Sequence, residues 1–229
     1  RHALCPMRHA ILPTRFRACG RLLTCALMPF AMKKLIRKSV QQMTGYTPGE
    51  QPSEAGFVKL NTNENPYPPS PQVAKALAEF DVDQLRLYPN PVSMKLRQRI
   101  AALHGCRVSN VFAGNGSDEI LALCTRAFVE DSGSIGYFSP SYSLYPVLAD
   151  IRNVTKKPVE LGKDFEWTMP AGYRSSLFFL TYPNAPTGVL YPKDKVRAFC
   201  RQFPGVVVID EAYVDFSREN CMDLALKLG

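Results

Sequence analysis

The chain has 229 residues, 46% of them hydrophobic and 21% charged, enough to bury the core of one large domain or one and a half. The formal net charge of +8 is not spread over the chain: residues 1–49 hold nine Lys/Arg and no Asp or Glu, leaving 19 basic and 20 acidic residues in the rest. The body is near neutral, so no basic face for nucleic acid is implied, and no apolar run approaches the ~20 residues of a membrane span.

Residues 1–31 are Arg-rich and acid-free and begin with Arg. That composition suits a transit peptide, and "RLLTCALMPFAM" is a weak signal-like core interrupted by Pro29. The reading preferred here is in-frame upstream sequence, with a natural start at Met32 in "MKKLIRKSVQQMTGY", so 1–31 are set aside from the fold. The seven Cys (5, 19, 25, 106, 124, 200, 221) form no C-x-x-C pair. Buried free thiols in a reducing, cytoplasmic setting are expected, with Cys124 and Cys200 on the apolar faces of helices.

Residues 32–70 read as an N-terminal arm ending in a loop. "LNTNENPYPPSP" (60–71) holds too many Pro and Asn for helix or central strand, and such a rigid polar loop is a connection or the wall of a site. Helices are expected over 71–80, opened by Pro71, and over 91–105, closed by Gly105. In "VFAGNGSDEILALCTRAF" (111–128), Val111–Ala113 reads as a short strand and Gly114–Gly116 as a turn. Ser117 is then the N-cap of a helix with apolar residues at 120, 121, 124, 127 and 128.

Strands follow at 134–138, 154–160, 176–183 and 206–210. They alternate with a helix over 140–151, broken or not at Pro146, and another over 192–203 with Val196, Phe199, Cys200 and Phe203 on one face. Continuously apolar strands alternating with helices predict an α/β fold of three layers, α/β/α, around a mainly parallel sheet spanning 71–229.

Ligands of such sheets sit beyond the carboxyl ends of the strands. Four polar sequences fall there: Gly114–Ser117, Ser139–Tyr142, Tyr182–Gly188 and Asp210–Tyr213. "GNGSDE" offers free N–H groups to a phosphate at a helix start, but it is neither a Walker loop nor a full dinucleotide fingerprint, and an ordinary strand-to-helix turn explains it equally. "YPNAPTG" is explained equally by a tight connection, and Tyr142 and Tyr145 by core packing. Asp210 ends the run "VVVI", where an isolated carboxylate is costly unless a metal or a cation pairs with it. The three His are at 2, 9 and 104, so no metal set accompanies it, and a protonated heterocycle nitrogen is the alternative cation.

Taken in order, "KLNTNENPYPPSP", "RLYPNP", "AGNGSDEI", "SPSYSLYP", "YPNAPTG" and "VVVIDEAYVDF" resemble the pyridoxal-phosphate-dependent aminotransferases of fold type I. Within that class they resemble the histidinol-phosphate branch, from about Met32 to Gly229. The resemblance implies pyridoxal 5'-phosphate as cofactor, a small-molecule amino donor and a keto acid as substrates, and a homodimer. It implies that Asp210 pairs with the pyridinium nitrogen, that Tyr213 touches the ring hydroxyl together with Asn184 or its neighbour, and that Tyr142 stacks on the ring. It implies that Gly116, Ser117 and Asp118 take the phosphate on their backbone donors. Tyr88 would reach the cofactor phosphate of the other subunit, and Asn65 and Tyr67 would border the substrate.

Two departures stand out. The family often has Asn just before the proline of Asn-Asn-Pro-Thr-Gly, where this chain has Ala185. The family's Schiff-base lysine, in a Ser-x-x-Lys setting, would fall beyond Gly229, and Lys227 in "LALKLG" does not match it. The expectation is an incomplete large domain, inactive by itself, with the small C-terminal domain absent. The rivals are another enzyme of the same fold, an aromatic-amino-acid aminotransferase or a threonine-phosphate decarboxylase, and a non-catalytic cofactor-binding protein that ends at Gly229.

Overall fold

The computed structural model describes residues 35–44, 49–50, 56 and 58–228. The expected extension over 1–31, with Cys5, Cys19 and Cys25, lies outside them. The chain divides into two units, Arg1–Gln42 and Met43–Gly229, so the arm expected over 32–70 is shared between them. The described part of the first unit holds one short helix, α1 (Lys38–Gln41).

The second unit is built on four strands, β1 (Ser134–Ser139), β2 (Thr155–Glu160), β3 (Leu177–Thr181) and β4 (Val206–Asp210). They pair in the order β2-β1-β3-β4, and every pairing is parallel. Burial follows position in the sheet. β3, "LFFLT", is central and wholly buried, whereas β2, "TKKPVE", is exposed except at Val159 and carries Pro158, as an edge strand can.

The alternation of side chains along β3 sorts the core into two layers. Leu177 and Phe179 join Ile135, Tyr137, Tyr145, Leu148 and Leu121 on one side. Phe178 and Leu180 join Phe138, Trp167, Tyr191, Val196 and Phe199 on the other. Helices α4 (Gly116–Phe128) and α5 (Leu144–Arg152) contribute to the first layer, and α6 (Lys193–Gln202) and α7 (Met222–Leu228) to the second. The three-layer α/β/α arrangement expected from the sequence is present.

The helices differ from expectation mostly at their ends. α2 (Pro71–Ala78) is opened by Pro71, with the Ser70 hydroxyl accepting from the Gln72 N–H at 3.3 Å. α3 (Met94–His104) ends on Gly105 at φ 62°, the left-handed cap that glycine adopts without strain. Ser117 is not the N-cap of α4: Asn115 is, and the Glu119 carboxylate reaches back to its N–H. The buried stripe of α4 is Leu121 and Thr125, while Phe128 is half exposed. Pro146 does not break α5, because it falls in the first turn, where its missing N–H has no intrahelical acceptor to lose.

Val111–Ala113 is not a strand. Arg97 of α3 donates from Nε to the Val111 carbonyl at 2.6 Å and from Nη2 to the Val108 carbonyl at 3.0 Å, so these acceptors serve a side chain. Phe112, at 71% exposure, packs into neither layer. Four of the seven Cys lie among the described residues, and all four are free. Cys221 is buried, and Cys106, Cys124 and Cys200 are half-buried.

Candidate functional site

The parallel sheet brings the ends of β1, β3 and β4 to one edge, and a chain of polar side chains crosses it. Asp210, the last residue of β4, is 7% exposed. Its Oδ2 accepts from the Tyr145 hydroxyl at 2.8 Å and its Oδ1 from the Ala212 N–H at 3.1 Å. Tyr145 also contacts the Thr181 hydroxyl, at 2.7 Å, and Thr181 contacts Ser141 at 3.0 Å. Ser141 donates to Asn184 Oδ1 at 3.0 Å. Thr181 ends β3, and Ser141 lies just beyond β1, so three neighbouring strand ends supply the chain.

Among the described residues, Asp210 takes part in no ion pair. A buried carboxylate held by two neutral donors and no cation is a poor structural element and a good receptor for a positive charge. Among the described residues, no group of His, Cys, Asp and Glu is placed to hold a metal ion. Burial, and then the neighbouring Asp210 charge, push the Tyr145 phenol well above its ordinary range, so Tyr145 keeps its proton and acts as a donor.

Beside the chain lies an open cavity of about 440 Å³, lined among others by Asn63, Glu64, Pro66, Asn184, Tyr213 and Phe216. The loop over 63–66 therefore forms one wall. Asn65 and Tyr67 themselves are exposed and do not line it; Asn65 Oδ1 accepts from the Tyr67 N–H at 3.0 Å and shapes the turn. Tyr88 is 92% exposed and is not brought to this cluster.

Asn184 is 1% exposed. Besides the Ser141 contact, its Nδ2 donates to the Pro140 carbonyl at 3.2 Å and to the Thr187 hydroxyl at 2.9 Å. Both amide hydrogens are thus engaged within the protein, and Asn184 latches the 182–188 loop to the 139–142 loop. On the other side, the Tyr142 hydroxyl donates to Asp118 at 3.1 Å, which ties that loop to the first turn of α4. α4 opens at Gly116, whose φ of 79° is one that side chains disfavour, and its first-turn N–H groups have no intrahelical acceptor.

Elsewhere, a cavity of about 460 Å³ lies between β4, α6 and α7, lined mainly by apolar groups with Glu211 at its wall. Burial raises the Glu211 carboxyl above its usual range, against the lowering effects of the Cys221 N–H, Lys193 and His104. A raised carboxyl pKa means that the folded state binds the proton more tightly than the unfolded chain, so stability falls as pH rises through the interval between the two values. Glu211→Gln is expected to match the parent in stability below that interval and to exceed it above. Urea unfolding across a pH series checks this. Burial also pushes the thiols up, Cys221 to about 12, so Cys124, Cys200 and Cys221 are not thiolate nucleophiles at neutral pH.

The family model for aminotransferase class I and II matches residues 55–227. The chain belongs to this family. It is 42% identical over 197 residues to the histidinol-phosphate aminotransferase of Syntrophotalea carbinolica, covering 84% of this chain and 56% of that protein. To the histidinol-phosphate aminotransferase of Microcystis aeruginosa it is 43% identical over 189 residues, covering 82% and 54%. The chain thus spans about half the length of the curated relatives it matches. Among solved structures, it superposes with a TM-score of 0.60 on the Sinorhizobium meliloti histidinol-phosphate aminotransferase solved with pyridoxal-5'-phosphate, at 23% identity over 68% of this chain and 44% of that one. With the Thermotoga maritima aspartate aminotransferase the TM-score is 0.62, at 21% identity over 74% and 51%. At such identities the likeness is one of fold, the fold type I expected from the sequence.

Ser141 falls within the polar sequence 139–142 expected at this edge and Tyr145 is explained equally by core packing, whereas Thr181 was not legible as a site residue. The one local signal was a threonine closing an otherwise apolar strand, "LFFLT".

Proposed function

We propose that this chain is the cofactor-binding region of a pyridoxal-phosphate-dependent transaminase that exchanges the amino group of histidinol phosphate with 2-oxoglutarate, giving imidazole acetol phosphate and glutamate. The observation that carries it is Asp210, a buried carboxylate with two neutral donors and, among the described residues, no cationic partner, at the strand end where the aminotransferase family has its cofactor aspartate. The choice of histidinol phosphate rests on the names of the relatives at 42–43% identity.

Bound there, pyridoxal phosphate supplies a protonated pyridine ring that withdraws electrons from the substrate Cα. Asp210 holds the ring nitrogen's proton by opposite charge. Tyr213, half-buried on the cavity wall, donates to the ring hydroxyl; Asn184 has no amide hydrogen left for it. Tyr142 lies against the ring face, and the N–H groups of Gly116, Ser117 and Asp118 take the phosphate at the positive end of α4. Asn65 and Tyr67, neighbours in sequence of the lining residues Glu64 and Pro66, meet the substrate. The protein acts as a homodimer in which Tyr88 reaches the partner's cofactor phosphate. Tyr88 is 92% exposed, and Leu77 and Leu85 are also above 70%, apolar side chains that a second subunit would cover. The free thiols suit a reducing, cytoplasmic setting. Among the described residues, no helix is long and apolar enough to cross a membrane.

The test is transamination by protein expressed from the complete coding sequence, with 2-oxoglutarate as acceptor. kcat/KM for histidinol phosphate is expected to exceed that for phenylalanine by roughly a hundredfold or more, since a site that pairs a charged group rejects an analogue lacking it. A preference for phenylalanine would replace this reading with an aromatic-amino-acid transaminase.

A further inference from the structure

Behind Asp210 the polar side chains can be counted proton by proton. The Pro140 carbonyl can only accept, so the Asn184 amide is oriented with Nδ2 toward it and Oδ1 toward Ser141, whose proton it takes. Asp210 as carboxylate can only accept, so Tyr145 gives its proton there. Four contacts join Asp210 to Asn184 through three hydroxyls, each with one proton. Two of those protons are committed to the ends, and the Thr181 proton alone serves the middle. The Tyr145 contact is the shorter, 2.7 Å against 3.0 Å to Ser141, so the proton belongs there. A phenol oxygen that accepts a hydrogen bond is the stronger donor to the next group.

The Tyr145 ring is held independently of its hydroxyl. It is fully buried, stacked on Phe179 with centroids 4.6 Å apart and 13° between planes, and edge-on to Tyr142 at 5.6 Å. With the ring fixed, the hydroxyl sets the rotation of the carboxylate about its bond.

We propose that Tyr145 is a positioning residue for Asp210, with Thr181 behind it: the pair holds the carboxylate as an acceptor in one orientation, so that it pairs with a cationic heteroaromatic nitrogen. This rests on the cofactor reading above.

Removing a donor from a carboxylate disfavours its charged form, and the proton it shares with a ring nitrogen then moves toward the carboxylate. The experiment uses pyridoxal phosphate labelled with 15N in the ring, bound to the parent protein, Tyr145→Phe and Thr181→Val. Circular dichroism checks the fold and an absorbance titration gives Kd. Tyr145→Phe is expected to bind on the order of tenfold more weakly and to shift the ring 15N resonance toward that of neutral pyridine. Thr181→Val shifts it the same way by less, and Thr181→Ser restores it. Loss of packing alone would weaken binding without moving the resonance. An unchanged resonance in Tyr145→Phe, with cofactor bound, overturns the proposal and leaves the cofactor reading standing. Absence of cofactor binding by the parent overturns both. If Tyr145→Phe does not fold, Thr181→Val decides alone.

Discussion

Asp210→Asn is expected to weaken pyridoxal phosphate binding by roughly 10- to 100-fold, the worth of about 1.5–3 kcal/mol for a hydrogen bond to a charged partner. The substitution keeps size and one acceptor oxygen but removes the charge that holds a protonated ring nitrogen. It should not unfold the protein. The carboxylate is 7% exposed and among the described residues has no cationic partner, so the folded apo protein loses no ion pair; it loses one of two acceptors, leaving either the Tyr145 hydroxyl or the Ala212 N–H facing an amide NH2, at about 1–3 kcal/mol. The expected result is therefore a split: titration with cofactor shows the loss of affinity, and thermal unfolding without cofactor shows a drop of no more than about 1–3 kcal/mol that leaves the protein folded. Binding equal to that of the parent would sink the assignment of Asp210. A loss of stability well beyond that drop would instead make Asp210 a structural residue.

Phe179→Ala carries the largest expected cost in stability. Phe179 is fully buried in the central strand and stacks on Tyr145. Truncation to alanine leaves a cavity between β3 and α5 that rigid neighbours cannot close, at about 3–5 kcal/mol, a large part of the ~5–15 kcal/mol by which a domain is stable. It also frees the Tyr145 ring to tilt away from Asp210. Urea unfolding should show the midpoint fall sharply, and cofactor affinity should fall with it under conditions where the variant remains folded. Phe112→Ala is the matched control. At 71% exposure its loss should stay within about 0.5 kcal/mol. Equal effects at the two positions would mean that β3 is not the centre of the core.

These two positions also mark how far the sequence could be read. Phe179 lies in "LFFLT" and Asp210 in "VVVID", and both are informative locally: an unbroken apolar run needs cover on both faces, and a carboxylate at its end needs a partner. The apolar face of α6, Val196 and Phe199 with Cys200 and Phe203, was legible for the same reason, since the helical period places those residues together whatever surrounds them. The motif order from "AGNGSDEI" to "VVVIDEAYVDF" pointed to the family that the comparisons then showed.

What depended on contacts distant in sequence was not legible. Val111–Ala113 has the composition of a strand, but whether it pairs depends on a neighbour, and there Arg97 takes the carbonyl instead. Ser117 has the chemistry of a cap, but the helix is capped two residues earlier, at Asn115, with Gly116 its first residue. Asn184 reads as a ligand for a ring hydroxyl, yet its amide latches two loops whose contacting residues lie more than 40 positions apart. Tyr145 and Asp210 are 65 positions apart, joined only because parallel pairing sets β1, β3 and β4 side by side with their carboxyl ends level. By itself the sequence determined which apolar runs need cover on both faces and which charge needs a partner, because hydrophobicity and charge belong to each residue. Only the tertiary structure decided which hydroxyl faces that charge and how its protons are shared, because hydrogen bonds depend on distances that no local pattern contains.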